Sequence, residues 1–237
     1  IRYMTLTHAA DNQVCDSSYD SRNTWNGLSD FGKKVVREMN KIGMMIDVSH
    51  CTDKTFYDIL EITNKPLVAT HSSPRKFTPN FERNMSDNMI KDLANNNGII
   101  MLNFGSGFIS EQSNKSLGDI NSKVEKYKIE NNLEDSDKKL LKYKDDLINS
   151  VKPFASINDF IDTIDYVKEL VGIDHIGLGS DFEGLGNTLP YDLKDASTYP
   201  SILYNLLERE YSEIEIKKIC SDNLFRVWNA NLQNRQI

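Results

Sequence analysis

Residues 27–50 read GLSDFGKKVVREMNKIGMMIDVSH, and this stretch decides the fold. Ser29 is a residue type that opens a helix by accepting a backbone N–H from the first turn. Val35, Val36, Met39 and Ile42 then recur on one helical face, and Gly43 supplies the left-handed residue that ends a helix. A short apolar run, Met44–Ser49, follows at once and ends on His50. A helix that feeds a strand apolar on both faces is half of a βαβ unit, the repeating element of a parallel sheet.

The same grammar extends in both directions. Further strands are expected at Arg2–Thr7, Pro66–Thr70, Ile99–Phe104 and Ile176–Ser180. Thr52, Ser86 and Ser156 are positioned to cap three more helices, whose apolar faces carry Phe56, Ile59 and Leu60; Met89, Ile90 and Leu93; and Phe160, Ile161, Ile164 and Val167. From about 111 to 150 the chain is dense in Lys, Glu, Asp and Asn, with Leu140, Leu141, Leu147 and Ile148 at helical spacing. This reads as a solvated helical insertion on a βα loop, a place where a lid over an active site can sit. Three helices are expected near Tyr199–Arg209, Ser212–Cys220 and Asp222–Asn231. With 237 residues, the chain is read as one α/β domain, 1–237, since α/β barrels of about 250 residues are single units. Five strands cannot close an eight-stranded barrel. Either three βα units precede Ile1, the expectation preferred because the chain does not open on Met, or the sheet is smaller and open.

A net charge of −7 without a basic patch argues against nucleic acid as a partner. No apolar run approaches the roughly 20 residues that a membrane-spanning helix needs. Cys15, Cys51 and Cys220 are too few and too scattered for a disulfide framework or a paired-cysteine metal site.

Four strands run into polar residues of catalytic type: His8, His50, His71 and Asp181. In α/β barrels the functional residues stand at the C-terminal ends of strands, so three of the four histidines occupy that position together. Neutral imidazoles at His50 and His71 suit Zn²⁺ and similar ions, with Asp181 either a further ligand or a proton carrier. Strand alternation sets Ile46, Val48 and His50 on one face and Asp47 on the other, which gives Asp47 a buried hydrogen-bonding role. His175 lies six residues before Asp181, about 20 Å along an extended strand at roughly 3.3 Å per residue, and belongs to the barrel floor. Gly177 and Gly179 are expected to leave room beneath Asp181.

These residues sit in blocks that resemble the membrane dipeptidase (renal dipeptidase) family of zinc metallopeptidases. The blocks are RYMTLTH ending at His8, the stretch quoted above, THSSPRKF from Thr70, Arg83–Asn84, GIDHIGLGSDFEG around Asp181, and DNLFRVW from Asp222. The resemblance implies a (β/α)₈ TIM barrel, here with about five of eight βα units, and two zinc ions in a complete site. It implies that His50 and His71 bind one zinc, that Asp181 handles the proton, that His8 contacts the substrate and that Arg83 holds the carboxylate of a dipeptide. The family's His-x-Asp pair and bridging glutamate have no counterpart in this sequence. Gly105 stands where relatives often carry an aromatic residue, Glu183 where Asp is usual and Ser221 where Gly is usual, and one residue is inserted between His71 and Arg83. The expected function is hydrolysis of small dipeptides. The alternatives are an inactive fragment or pseudoenzyme that keeps a binding cleft, or another amidohydrolase-type reaction. The 237-residue chain by itself is expected to be inactive, and a homodimer is compatible with the resemblance.

Overall fold

The protein is described by a computed structural model covering residues 1–233. The elements follow in the order β1 (Tyr3–Thr5), α1 (Asp30–Ile42), β2 (Met45–Asp47), α2 (Asp53–Ile62), β3 (Val68–Ser72), α3 (Asp87–Asn95) and β4 (Ile99–Leu102). Then come α4 (Ser106–Ile109), α5 (Glu111–Glu130), α6 (Lys138–Val151), α7 (Ile157–Val171), β5 (Ile176–Leu178), α8 (Tyr199–Glu208), α9 (Glu213–Lys217) and α10 (Asn223–Leu232). The five strands form one parallel sheet in the order β1-β2-β3-β4-β5. Each strand pairs with its successor in sequence, with helical crossovers between, which is the order of a (β/α) barrel and not of a doubly wound sheet.

Capping explains the helix boundaries. The side chains of Ser29, Thr52, Ser86 and Ser156 each accept a backbone N–H of the helix that follows. Gly43 ends α1 at φ 74°, a left-handed conformation that Gly enters without steric cost. The main core lies between the sheet and helices α1, α2, α3 and α7, with Val36, Phe56, Ile59, Leu93, Phe160 and Ile164 fully buried around Ile46, Ala69 and Ile100. Met45, Val68 and Ile99 face the other side of the sheet, where Val227 of α10, with Leu224 and Trp228, covers them. Arg226 donates to the carbonyls of Asn97 and Asp174, and Asn231 to that of Pro66. These bonds tie α10 to the N-terminal strand ends and leave the opposite end free.

Four expectations need correction. β3 begins and ends two residues later than Pro66–Thr70, so His71 lies inside the strand, because pairing with β4 extends to Ser72. β2 stops at Asp47, and His50 sits in a turn at φ 71°, so the alternation of an extended strand does not reach it. Gly179 marks no vacancy: a Cβ there would stand 2.5 Å from the carbonyl oxygens of both Met101 and Thr70. The helix expected at Ser212–Cys220 is α only over α9, then widens into a π-helical turn, Lys218–Asp222, that runs on into α10. The charged insertion is a helical hairpin, α5 and α6, with Tyr127 stacked on Tyr143 at 4.2 Å.

Candidate active site

His8, His50 and His71 meet at the C-terminal end of the sheet. The ring centroids of His8 and His50 are 4.3 Å apart, and those of His50 and His71 are 4.9 Å apart. The two Nε2 atoms of His50 and His71 converge to 2.9 Å. His50 is presented by a turn rather than a strand. Its carbonyl accepts the N–H of Ser18 at 2.8 Å, and the Cys51 N–H reaches back to Val48 O. The left-handed backbone at His50 (φ 71°) recurs at Asp181 (φ 64°). For residues other than Gly such a conformation costs on the order of 1–3 kcal/mol and persists where the surroundings impose it, characteristically at functional sites.

The tautomer of His71 follows from its neighbours. Asp47, fully buried, accepts from the hydroxyls of Thr5 and Thr70 at 2.6 Å each and from the backbone N–H groups of Ser49 and Thr70. Both Asp47 oxygens are occupied as acceptors, so Thr70 donates its single hydroxyl proton to Asp47. The Thr70 oxygen, 2.7 Å from His71 Nδ1, is then left to accept, which places the His71 proton on Nδ1. His71 Nε2 therefore carries a lone pair, aimed at His50. For the 2.9 Å contact between the two Nε2 atoms to be a hydrogen bond, His50 must hold its proton on Nε2. That assignment agrees with His50 Nδ1, which is buried without a hydrogen-bond partner.

Electrostatics keep both rings neutral. Burial, then the positive charge of Arg83 and the neighbouring histidines, hold His50 down from the ordinary histidine value to about 2. His71 is lowered by burial and by Arg83, with Asp47 and Asp181 opposing. Neutral imidazole is the metal-binding form. With the His50 proton moved from Nε2 to the unpartnered Nδ1, the pair would offer a divalent ion two Nε2 lone pairs. A catalytic zinc normally takes three protein ligands, and among the described residues no group of three or more His, Cys, Asp and Glu side chains is placed to hold a metal ion.

Asp181 follows β5 and is half-buried. Its Oδ2 accepts from Asn103 Nδ2 at 2.9 Å, and Asn103 Oδ1 in turn accepts the Gly105 N–H at 2.7 Å. Gly184 is needed beside it, since a Cβ there would stand 2.2 Å from Asp181 Oδ1. Arg83 is 3% exposed; it donates through Nη2 to His71 O at 2.8 Å and through Nη1 to Ser72 Oγ at 2.9 Å. Its Nε is buried without a partner, so three of its five N–H bonds remain uncommitted. Asn84 joins Ser73, Thr78 and Phe108 and fixes the loop from which Arg83 projects. His175 lies at the far end, bonded to Gly98 O.

All five singled-out residues, His8, His50, His71, Arg83 and Asp181, thus lie at one end of the sheet. Two neighbours escape a reading of the sequence. Asn103 carries a signal, since it follows the apolar run of β4 where strand ends bear function. Tyr19 carries none. It belongs to the irregular loop after β1, yet its ring lies 5.8 Å from that of His50.

The chain matches the description of the membrane dipeptidase family, peptidase family M19, over residues 1–236. It is 32% identical over 227 residues to dipeptidase tcpJ of Claviceps purpurea, covering 96% of this chain and 44% of that protein. It is 31% identical over 231 residues to an uncharacterized dipeptidase of Schizosaccharomyces pombe, covering 97% and 46%. The chain therefore spans less than half the length of these curated relatives. Among solved structures, the probable dipeptidase PvdM of Pseudomonas aeruginosa superposes with a TM-score of 0.80 at 24% identity, covering 99% of this chain and 63% of that one. A metallopeptidase of Rhodobacter sphaeroides, solved with a phosphinate mimic of the dipeptide L-Ala-D-Ala, superposes at 0.66 and 24% identity, covering 86% and 47%. At these identities the structural likeness speaks for the fold.

Proposed function

The chain belongs to the membrane dipeptidase family, and from that premise we propose that its site serves hydrolysis of the peptide bond of small dipeptides with zinc as cofactor. The observation that carries this reading is the convergence of His50 and His71 through Nε2, with the His71 lone pair freed by the Asp47–Thr70 relay. In this reading His50 and His71 hold one of two zinc ions in the complete site. When bound, the metal supplies Lewis-acid polarisation of the scissile carbonyl and a water acidified toward neutral pH. Asp181, oriented by Asn103, takes the proton released by the attacking water and passes it to the departing amine. Arg83 directs its uncommitted N–H groups at the free carboxylate of the substrate, a planar acceptor that suits a guanidinium. His8, exposed at the mouth beside His50, contacts the polarised carbonyl oxygen.

The test compares a dipeptide with its C-terminal amide on the intact protein. A charge-assisted bond is worth about 1.5–3 kcal/mol, so removing the carboxylate is expected to lower kcat/KM by roughly 10- to 100-fold. Hydrolysis of the free acid is expected to stop on chelation. Equal cleavage of acid and amide, by wild type and Arg83→Ala alike, would move the function to a general amidohydrolase.

A further inference from the structure

Three aromatic rings form a continuous arc beside this site, and neither metal binding nor proton transfer uses them. Tyr19 lies 5.8 Å from His50 and 6.1 Å from Phe81. Phe81 meets Phe108 edge to face at 5.4 Å, and the Arg83 guanidinium carbon lies 5.4 Å from the Phe108 ring centroid. The arc therefore runs from a metal-binding histidine to the carboxylate-binding arginine. We propose that Tyr19, Phe81 and Phe108 form a subsite for a large apolar or aromatic side chain on the C-terminal residue of the dipeptide. This rests on the dipeptidase reading above and adds the substrate class.

Substrate geometry supplies the reason. In a dipeptide only the amide nitrogen and one Cα separate the scissile carbonyl from the terminal carboxylate. With the carbonyl at His50 and His71 and the carboxylate at Arg83, that Cα is held between the two ends of the arc. Its side chain then emerges against the rings. Tyr19 is 48% exposed, so a face is available to a ligand. Its place is fixed: the adjacent Ser18 N–H bonds to His50 O, and the Tyr19 N–H bonds to Ser17 Oγ. The three rings offer no counter-ion to an acidic or basic side chain, whereas aromatic packing adds stabilisation to an apolar one.

The experiment measures kcat/KM of the intact protein for Ala-Phe, Ala-Leu, Ala-Gly and Ala-Asp. In parallel, calorimetry gives the Kd of phosphinate mimics of Ala-Phe and Ala-Gly. Wild type is expected to favour Phe over Gly about 10-fold or more in both measurements, as apolar pockets do for substrates differing in apolar bulk. Tyr19→Ala and Phe81→Ala are expected to bring that ratio toward one, while Tyr19→Phe keeps it, because the ring and not the hydroxyl makes the contact. A wild-type ratio near one, a preference for Ala-Asp, mimics that fail to bind, or a ratio unmoved by both alanine variants would overturn the subsite. Retained preference among bound mimics, without turnover of any dipeptide, would instead sink the hydrolase reading and leave the subsite standing.

Discussion

Replacing Thr70 by Val tests whether the Asp47–Thr70–His71 relay sets the metal-binding tautomer. The substitution keeps shape and β-branching in β3 but deletes one hydroxyl. Two hydrogen bonds go with it, the 2.6 Å bond to Asp47 and the 2.7 Å bond from His71 Nδ1. Asp47 is left accepting from Thr5 and two backbone N–H groups, so its carboxylate stays satisfied. His71 loses its only side-chain anchor on Nδ1. An unpaired, partly buried donor costs about 1–3 kcal/mol, and loss of a partner behind a metal-binding histidine typically costs 10–100-fold in metal affinity. The two figures agree, since a factor of ten is about 1.4 kcal/mol. Zinc titration by calorimetry is expected to show affinity weaker by about 10- to 100-fold in Thr70→Val, with Thr70→Ser close to wild type. Unchanged zinc affinity in Thr70→Val, alongside an intact fold by circular dichroism, would refute the relay.

Three further outcomes follow. Asp181→Asn keeps the Asn103 contact in size but cannot take a proton, so kcat is expected to fall roughly 10²–10⁴-fold with zinc content unchanged by metal analysis. In the metal-free protein, His50 has a folded pKa of about 2, below its unfolded value near 6.5. The unfolded state then binds the extra proton between those values. Urea midpoints are accordingly expected to hold above pH 6.5 and fall as pH drops below it, with a shallower fall in His50→Gln. Gly179→Ala would drive a Cβ to 2.5 Å from two carbonyl oxygens, so a loss of about 1–3 kcal/mol or more is expected in denaturant titration, whereas exposed Gly118, with nothing within 4 Å, is expected to tolerate Ala.

Local signals carried most of the fold. Ser29 and Gly43 bracket α1 because caps satisfy the helix's own end groups and need no distant partner. The apolar runs located every strand for the same reason. Register and strand ends are set by pairing, so the shift that puts His71 inside β3 could not be read from Pro66–Thr70 alone. His50, His71 and Asp181 were legible because the runs end on them. The positive φ of His50 and Asp181 was not, since neither is glycine and only the surrounding turn imposes it. Asp47 was legible as a buried polar residue, while its link to His71 through Thr70 depends on two strands lying side by side. Tyr19 was invisible because loop residues follow no period, and Arg83 showed its type but not that two of its donors are committed to the protein.

Zinc content of the intact protein tests the central claim most directly, because that claim is that His50 and His71 together hold a catalytic metal. His50→Asn and His71→Asn are each expected to lose roughly one zinc per chain and all dipeptide hydrolysis, since in the proposed site each imidazole is a direct ligand. Zinc content unchanged in both folded variants would contradict it.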